Sequence, residues 1–98
     1  MKTFDKVYSV VSKIPKGGVL TYGRISKTLS VNPRVVGYAL HANKNIELVP
    51  CHRVVHKDGS LAKGYAHGGL KVQMEKLIEE GVIFSGNKVD LNKSLSVF

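Results

Sequence analysis

Thr21-Tyr22-Gly23-Arg24-Ile25-Ser26-Lys27-Thr28-Leu29-Ser30-Val31-Asn32-Pro33-Arg34-Val35-Val36-Gly37-Tyr38-Ala39-Leu40-His41-Ala42 is the stretch on which the fold turns. Thr21 is a good N-cap for a first short helix that buries Ile25 and Leu29 and ends near Ser30. Asn32 is a second N-cap. Pro33 follows at the first helical position, where a missing N–H costs nothing. The second helix runs to about Ala42 with Val36, Ala39 and Leu40 inward. Two helices joined by a turn of about three residues have the outline of a helix-turn-helix over about 22–43. Gly37 weakens its helix by roughly 1 kcal/mol relative to Ala, so it implies close approach of another surface. DNA and a neighbouring helix both fit.

Outward from this stretch, Phe4, Val7, Tyr8, Val11 and Ile14 recur at helical spacing. They predict an amphipathic helix over 3–13 with Thr3 as its cap, stopped at Pro15-Lys16-Gly17-Gly18. Residues 46–62 read as extended. Lys57-Asp58-Gly59 is a turn signal that would fold Val54-Val55 against Ser60-Leu61 as a hairpin. Gly64, Gly68 and Gly69 mark a loop. Leu70, Met74, Leu77 and Ile78 mark a helix ending at Gly81, and a Ser85-Gly86-Asn87 turn suggests a small terminal hairpin. The fold class expected is a small α/β domain, mainly helical, with a helix-turn-helix and a short β-hairpin, in one domain over 1–98.

The net charge is +8, and its placement is informative. No Asp or Glu lies between Lys6 and Ile46, while Lys6, Lys13, Lys16, Arg24, Lys27, Arg34 and Lys44 do. The acids gather later, at Glu75, Glu79 and Glu80. A one-signed half suits a polyanion, because each Lys or Arg near a phosphate releases counterions; a merely solubilising surface is the plainer reading. No apolar run approaches the ~20 residues of a membrane span, and no signal-peptide core follows Met1, so a cytoplasmic protein is expected. With one cysteine there is no intramolecular disulfide. No metal site is expected, because the four histidines lack ligand spacing, and no cofactor is implied.

Cys51-His52 is the densest chemical signal. A thiolate is the nucleophile, and an imidazole can take the proton. On an extended strand the two side chains would point apart, so contact needs a turn after Pro50 or a bridging water. Cys51 is otherwise a small core residue, and His52 a structural histidine.

The run Pro50-Cys51-His52-Arg53-Val54-Val55 resembles the active-site motif of the O6-alkylguanine-DNA alkyltransferases, the methylated-DNA–protein-cysteine methyltransferases. Val19-Leu20-Thr21-Tyr22 resembles the family's lead into its helix-turn-helix, and Asn32 to Leu40 its recognition helix. Asn43, Gly64-Tyr65 with Gly68-Gly69, and Glu80-Gly81 fall in family order, so the likeness spans about residues 4–83.

The resemblance implies binding of double-stranded DNA containing O6-alkylguanine from the minor groove, with the target nucleotide flipped out. Arg34 would fill the gap in the duplex. Asn32 would lie at the DNA surface, and Gly37 and Ala39 would let the helix approach the sugar-phosphate walls. Cys51 would take the alkyl group in a single-use reaction, His52 would relay its proton through water, and Glu80 would orient His52. Tyr22 would lend a proton to the leaving guanine. Asn43 would brace the site, and the main-chain carbonyls of Cys51 and Val54 would accept from the guanine amino group. Tyr65, Ala66 and His67 would line the pocket, while Arg53 would be structural.

Three departures stand out. The N-terminal domain of larger members has no counterpart here. The loop Gly64-Tyr65-Ala66-His67-Gly68-Gly69 is one residue longer than the common form. Short chains of this kind also include alkyltransferase-like sensors, which bind alkylated guanine without removing the alkyl group and typically carry Trp or Ala where Cys51 stands. The competing reading is therefore a sensor that recruits excision repair. A cysteine hydrolase or redox protein would need a helper residue or resolving thiol that the sequence lacks. A monomer is expected.

Overall fold

The computed structural model describes residues 2–62, 65 and 67–95. Helix α1, Thr3–Val11, follows the predicted spacing and buries Val7 and Val11. Thr3 is not its cap. Lys2 holds that position and makes no side-chain bond, while Asp5 faces the positive helix end. Strand β1, Leu20–Thr21, runs directly into α2, Tyr22–Leu29, where Thr21 Oγ1 accepts the Arg24 N–H at 3.1 Å. Ser30 ends α2 with φ 55°. Helix α3, Pro33–Ala42, opens with Asn32 Oδ1 accepting the Arg34 N–H at 2.9 Å. Val36, Ala39 and Leu40 face inward against α1 and α2. The Tyr8 hydroxyl pins α1 to α3 by donating to the Ala39 carbonyl at 2.7 Å.

The expected extended run over 46–62 survives only in β2, Val54–Val55. Asn45 accounts for the first departure. Its side chain accepts the Leu48 N–H at 3.2 Å and its carbonyl the Val49 N–H at 2.9 Å, so local bonds outcompete a ladder. Cys51–Arg53 then forms one 3-10 turn. The expected hairpin of Val54-Val55 with Ser60-Leu61 does not form as a strand pair. Instead β2 pairs in parallel with β1, Leu20 opposite Val54 and Thr21 opposite Val55. Residues 56–60 reverse in a tight turn closed by the His56 N–H to the Ser60 carbonyl at 2.9 Å.

Helix α4, Gly69–Glu79, buries Gln73 and Leu77, whereas Leu70 and Ile78, expected inward, are exposed. Val72 and Met74 beside Gln73 are partly buried against the two clusters, so the buried face of the helix turns away from Leu70 and Ile78. Gly81, at φ 90°, closes α4, with the Val82 N–H on the Leu77 carbonyl and the Gly81 N–H on the Ile78 carbonyl, both 3.0 Å. The antiparallel hairpin that does form is β3, Phe84–Ser85, with β4, Lys88–Val89. It is held to the 56–60 turn by the Val89 N–H on the Gly59 carbonyl at 2.9 Å. Gly59 has φ 88°, and a Cβ there would overlap the Val89 carbonyl oxygen, so only glycine serves. Helix α5, Leu91–Ser94, returns the chain to Val19, whose N–H donates to the Ser94 carbonyl at 2.9 Å. One apolar cluster joins α1, α2 and α3 to Cys51 and Val54; a second joins Val19 and Val55 to α4 and the hairpin. No helix among the described residues is long and apolar enough to cross a membrane.

Candidate active site

Between α3 and α4 lies a groove of about 1100 Å³. Tyr22, Arg34, Gly37, Leu40 and His41 line one wall. Leu61, Ala62, Tyr65, Leu70, Lys71 and Met74 line the other, with Asn87 and Lys88 from the hairpin turn. Cys51 is on its floor. Among the described residues its charged lining is basic throughout: Arg34, Lys71 and Lys88, with no carboxylate.

The Cys51 residue is 4% exposed, yet it borders this groove. It sits on the 3-10 turn that Pro50 starts, so the geometry an extended strand would have denied is supplied by a turn. Burial pushes its thiol above the ordinary value, and the neighbouring Asn43 and Tyr65 side chains, which favour the thiolate, offset only part of that. Asn43 is itself locked, its Nδ2 donating to the Val49 carbonyl at 2.8 Å and its Oδ1 accepting from the Asn45 N–H at 3.0 Å. Among the described residues the buried Tyr65 hydroxyl has no hydrogen-bond partner of good geometry; burial first, then the charge of Cys51, holds it protonated.

Behind the turn, His52 Nε2 lies 3.0 Å from Glu80 Oε2. Arg53 grips the same carboxylate, Nε to Oε1 at 2.9 Å and Nη2 to Oε2 at 2.7 Å, and its Nη1 donates to the Ile14 carbonyl at 2.8 Å. Burial opposes ionisation of Glu80, but Arg53 and His52 overcome it and hold the carboxyl below its usual value. An ionised Glu80 only accepts, so Nε2 carries the proton. Burial lowers the His52 pKa in spite of Glu80, which keeps the ring neutral. Nδ1 is then the lone-pair nitrogen, and it is buried without a partner among the described residues.

The structure thus brings Cys51, Tyr65 and Tyr22 to one groove, with the buried Asn43 beside the thiol and the His52–Glu80 pair adjoining the turn. Tyr22 packs against His56 with ring centroids 5.1 Å apart and planes tilted by 36°. Arg34, near the start of α3, and Gly37, one turn later, both face the groove. Gly37 settles a choice left open by the sequence: a Cβ there would meet nothing within 4 Å, so no neighbouring helix requires the glycine. Ala39 does not share that face. It is fully buried in the core with Val36 and Leu40, because helical periodicity turns it inward. Val54 is likewise a core side chain rather than a pocket wall, and its carbonyl already accepts from Gln73 at 3.1 Å. Asn32 is an exposed cap. His67 turns away from a lining role, its Nε2 bonding the Asn43 carbonyl at 2.8 Å. Ala66 and Gly64 lie outside the described residues.

Gln73 was not singled out by sequence. Fully buried, its Oε1 accepts the Ala62 N–H at 3.0 Å and its Nε2 donates to the His52 and Val54 carbonyls at 3.0 and 3.1 Å. It ties α4 to the Cys51–Arg53 turn and to the start of β2. Its signal was positional: Gln73 lies on the Leu77 stripe, four residues before it. Among the described residues no group of three or more His, Cys, Asp or Glu side chains could hold a metal ion.

These features define a helix-turn-helix domain with a protected thiol, backed by a His–Glu pair, at the floor of a basic groove. Residues 2–82 match the family described as the 6-O-methylguanine DNA methyltransferase DNA binding domain, and the chain belongs to that family. It is 41% identical over 81 residues to a methylated-DNA–protein-cysteine methyltransferase of Methanothermobacter thermautotrophicus, covering 83% of this chain and 45% of that one. It is 42% identical over 85 residues to one of Saccharolobus islandicus, covering 84% and 54%. The chain therefore spans about half the length of these relatives. Among solved structures, S. pombe Atl1 in complex with damaged DNA containing O6-carboxymethylguanine superposes over 100% of both chains, with TM-score 0.86 and 30% identity. The O6-methylguanine-DNA methyltransferase of Pyrococcus kodakaraensis gives TM-score 0.71 and 37% identity over 84% of this chain and 47% of its own.

Proposed function

We propose that this chain repairs alkylated DNA directly, receiving on Cys51 the alkyl group of an O6-alkylguanine in double-stranded DNA. The observation that carries this reading is the Cys51 thiol at the floor of a carboxylate-free basic groove, preceding a neutral His52 whose Nε2–H is committed to Glu80 and whose Nδ1 is unpaired. Helix α3 would enter the minor groove, Arg34 occupying the space vacated by the flipped nucleotide. Gly37 would keep the helix face low against the backbone, and Asn32, capping α3, would lie at the same surface.

In the reaction the Cys51 S–H bond breaks and its proton passes toward His52 Nδ1, directly or through one water. The sulfur attacks the alkyl carbon, an S–C bond forms, and the C–O6 bond breaks with its electron pair going to guanine. Tyr22, which lines the groove, donates a proton to the developing charge on the ring and is reprotonated from the relay. The net exchange is S–H and O–C for S–C and a ring N–H. The thioether does not turn over, so one chain repairs one lesion. Asn43 and Tyr65 hold the sulfur's surroundings, and the domain acts as a monomer.

A second reading is favoured by a specific observation: S. pombe Atl1, seen on damaged DNA, matches this chain end to end. In that reading Cys51 is inert and the domain marks the lesion for excision repair. Intact-mass analysis after mixing with a duplex carrying one O6-methylguanine separates the two. A gain of one methyl, mapped to Cys51 and lost in Cys51→Ala, is expected. Tight lesion binding with unchanged mass would replace transfer with sensing.

A further inference from the structure

The match to the family ends at residue 82, but the groove does not. The β3–β4 turn brings Asn87 and Lys88 to the same groove as Cys51. This placement is built in. Val89, next in the strand, is buried in the second core cluster, and its N–H donates to the Gly59 carbonyl at 2.9 Å, at a position too close to Val89 for any side chain. The hairpin therefore stands at a fixed position relative to the 56–60 turn that follows β2. Lys88 itself is half-exposed and pairs with the half-exposed Asp58, Nζ to Oδ2 at 3.2 Å. Such a surface pair is weak and readily exchanged. Across the groove stands Arg34, and beside it on α4 stands Lys71.

Resting on the proposed binding of duplex DNA, we infer that the hairpin is a second DNA-contacting wall: Lys88 exchanges Asp58 for a backbone phosphate on the side of the extruded nucleotide opposite α3. A duplex seated on α3 brings phosphates to both lips of the groove, and among the described residues Lys71 and Lys88 provide the cations of the far lip. Asp58 acts as a placeholder that holds the ammonium in position until a phosphodiester displaces it.

The test is duplex binding measured from 50 to 200 mM KCl for the wild type, Lys88→Gln, Lys88→Arg and Asp58→Asn. One phosphate contact contributes about 0.9 to the slope of log K against log salt, or about eightfold in affinity at 0.1 M. Losing the Asp58 pair offsets part of this, so Lys88→Gln is expected to bind about two- to eightfold more weakly with a shallower slope. Lys88→Arg keeps the wild-type slope, and Asp58→Asn binds more tightly. A Lys88→Gln slope and affinity equal to the wild type's, or a weaker Asp58→Asn, overturns the inference while leaving the groove's DNA reading intact. A wild type that shows no salt-dependent duplex binding overturns both.

Discussion

Replacing Gln73 by leucine tests whether the reactive turn is held from behind. The two side chains are similar in size, so packing is nearly conserved and the change is polar. Leucine removes the acceptor of the Ala62 N–H and the donor to the His52 and Val54 carbonyls, three bonds at a site with 0% exposure. A stranded buried group costs about 1–3 kcal/mol. The carbonyls keep other routes to partial satisfaction, and leucine gains about 1 kcal/mol of apolar burial. The net loss expected is about 2–4 kcal/mol, which for a domain of this size lowers Tm by about 10–25 °C. Thermal melting by circular dichroism measures it. The functional consequence is specific: the carbonyls released belong to the residues flanking Arg53 in the turn, so methyl transfer should slow at temperatures where the variant is still folded. A Gln73→Leu protein that melts within about 3 °C of the wild type would refute the account of what holds Cys51 in place.

Gly37→Ala should raise stability by about 0.5–1 kcal/mol, since a Cβ there meets nothing and alanine is the better helix former. It should also weaken duplex binding, because the methyl projects into the groove; stabilisation with unchanged affinity would remove Gly37 from the DNA-facing surface. Acid should destabilise the fold in two steps. His52 and Glu80 both have folded pKa values below their unfolded ones, so each contributes stability that is present above its unfolded value and lost as pH falls through its folded one. Loss begins near pH 6.5 with His52 and deepens below about 4.5 with Glu80; a Tm that is flat or rising from pH 7.5 to 5 contradicts a neutral buried imidazole. Cys51 behaves oppositely. Its pKa is raised chiefly by burial, so its reaction with a small disulfide reagent should stay slow at pH 8 and accelerate only above the ordinary thiol range, and a thiolate titrating near pH 6 would show the site to be pre-ionised.

What was legible in the sequence was local. Thr21, Asn32-Pro33 and Gly81 announce helix ends because capping is settled within about five residues of chain, and all of them behave as read. The Cys51-His52 pair with Glu80 followed from resemblance, and Arg53 proved structural, bonding Glu80 and Ile14. What was hidden is non-local. Val54-Val55 carries the same β-branched signal whether it pairs with Ser60-Leu61 or, as it does, with Leu20-Thr21 more than thirty residues earlier. The turn at Cys51 depends on Asn45 and Asn43 bonds that spacing does not reveal. Leu70 and Ile78 look like core residues until one sees that the packed face of α4 is centred on Gln73 and Leu77, with Val72 and Met74 beside it. A glutamine in the interior is invisible to hydrophobic patterning, although it is the side chain that joins three elements.

Under the proposed transfer Cys51 would be used once, and burial, which raises its pKa, bears on how the resting thiol survives until then. A thiolate standing open at neutral pH would react with any oxidant or electrophile that entered, and one such event would end the life of the chain. Here burial keeps Cys51 a thiol, while the base beside it is kept neutral by burial and fixed in one tautomer by Glu80. An aromatic base filling the groove would exclude water from the sulfur and give the displaced proton a receiving nitrogen, so that ionisation and attack become one event confined to the bound lesion. On this argument the raised pKa protects the thiol between lesions, and the reading as a transferase requires only that the bound base, rather than bulk pH, sets the moment of deprotonation.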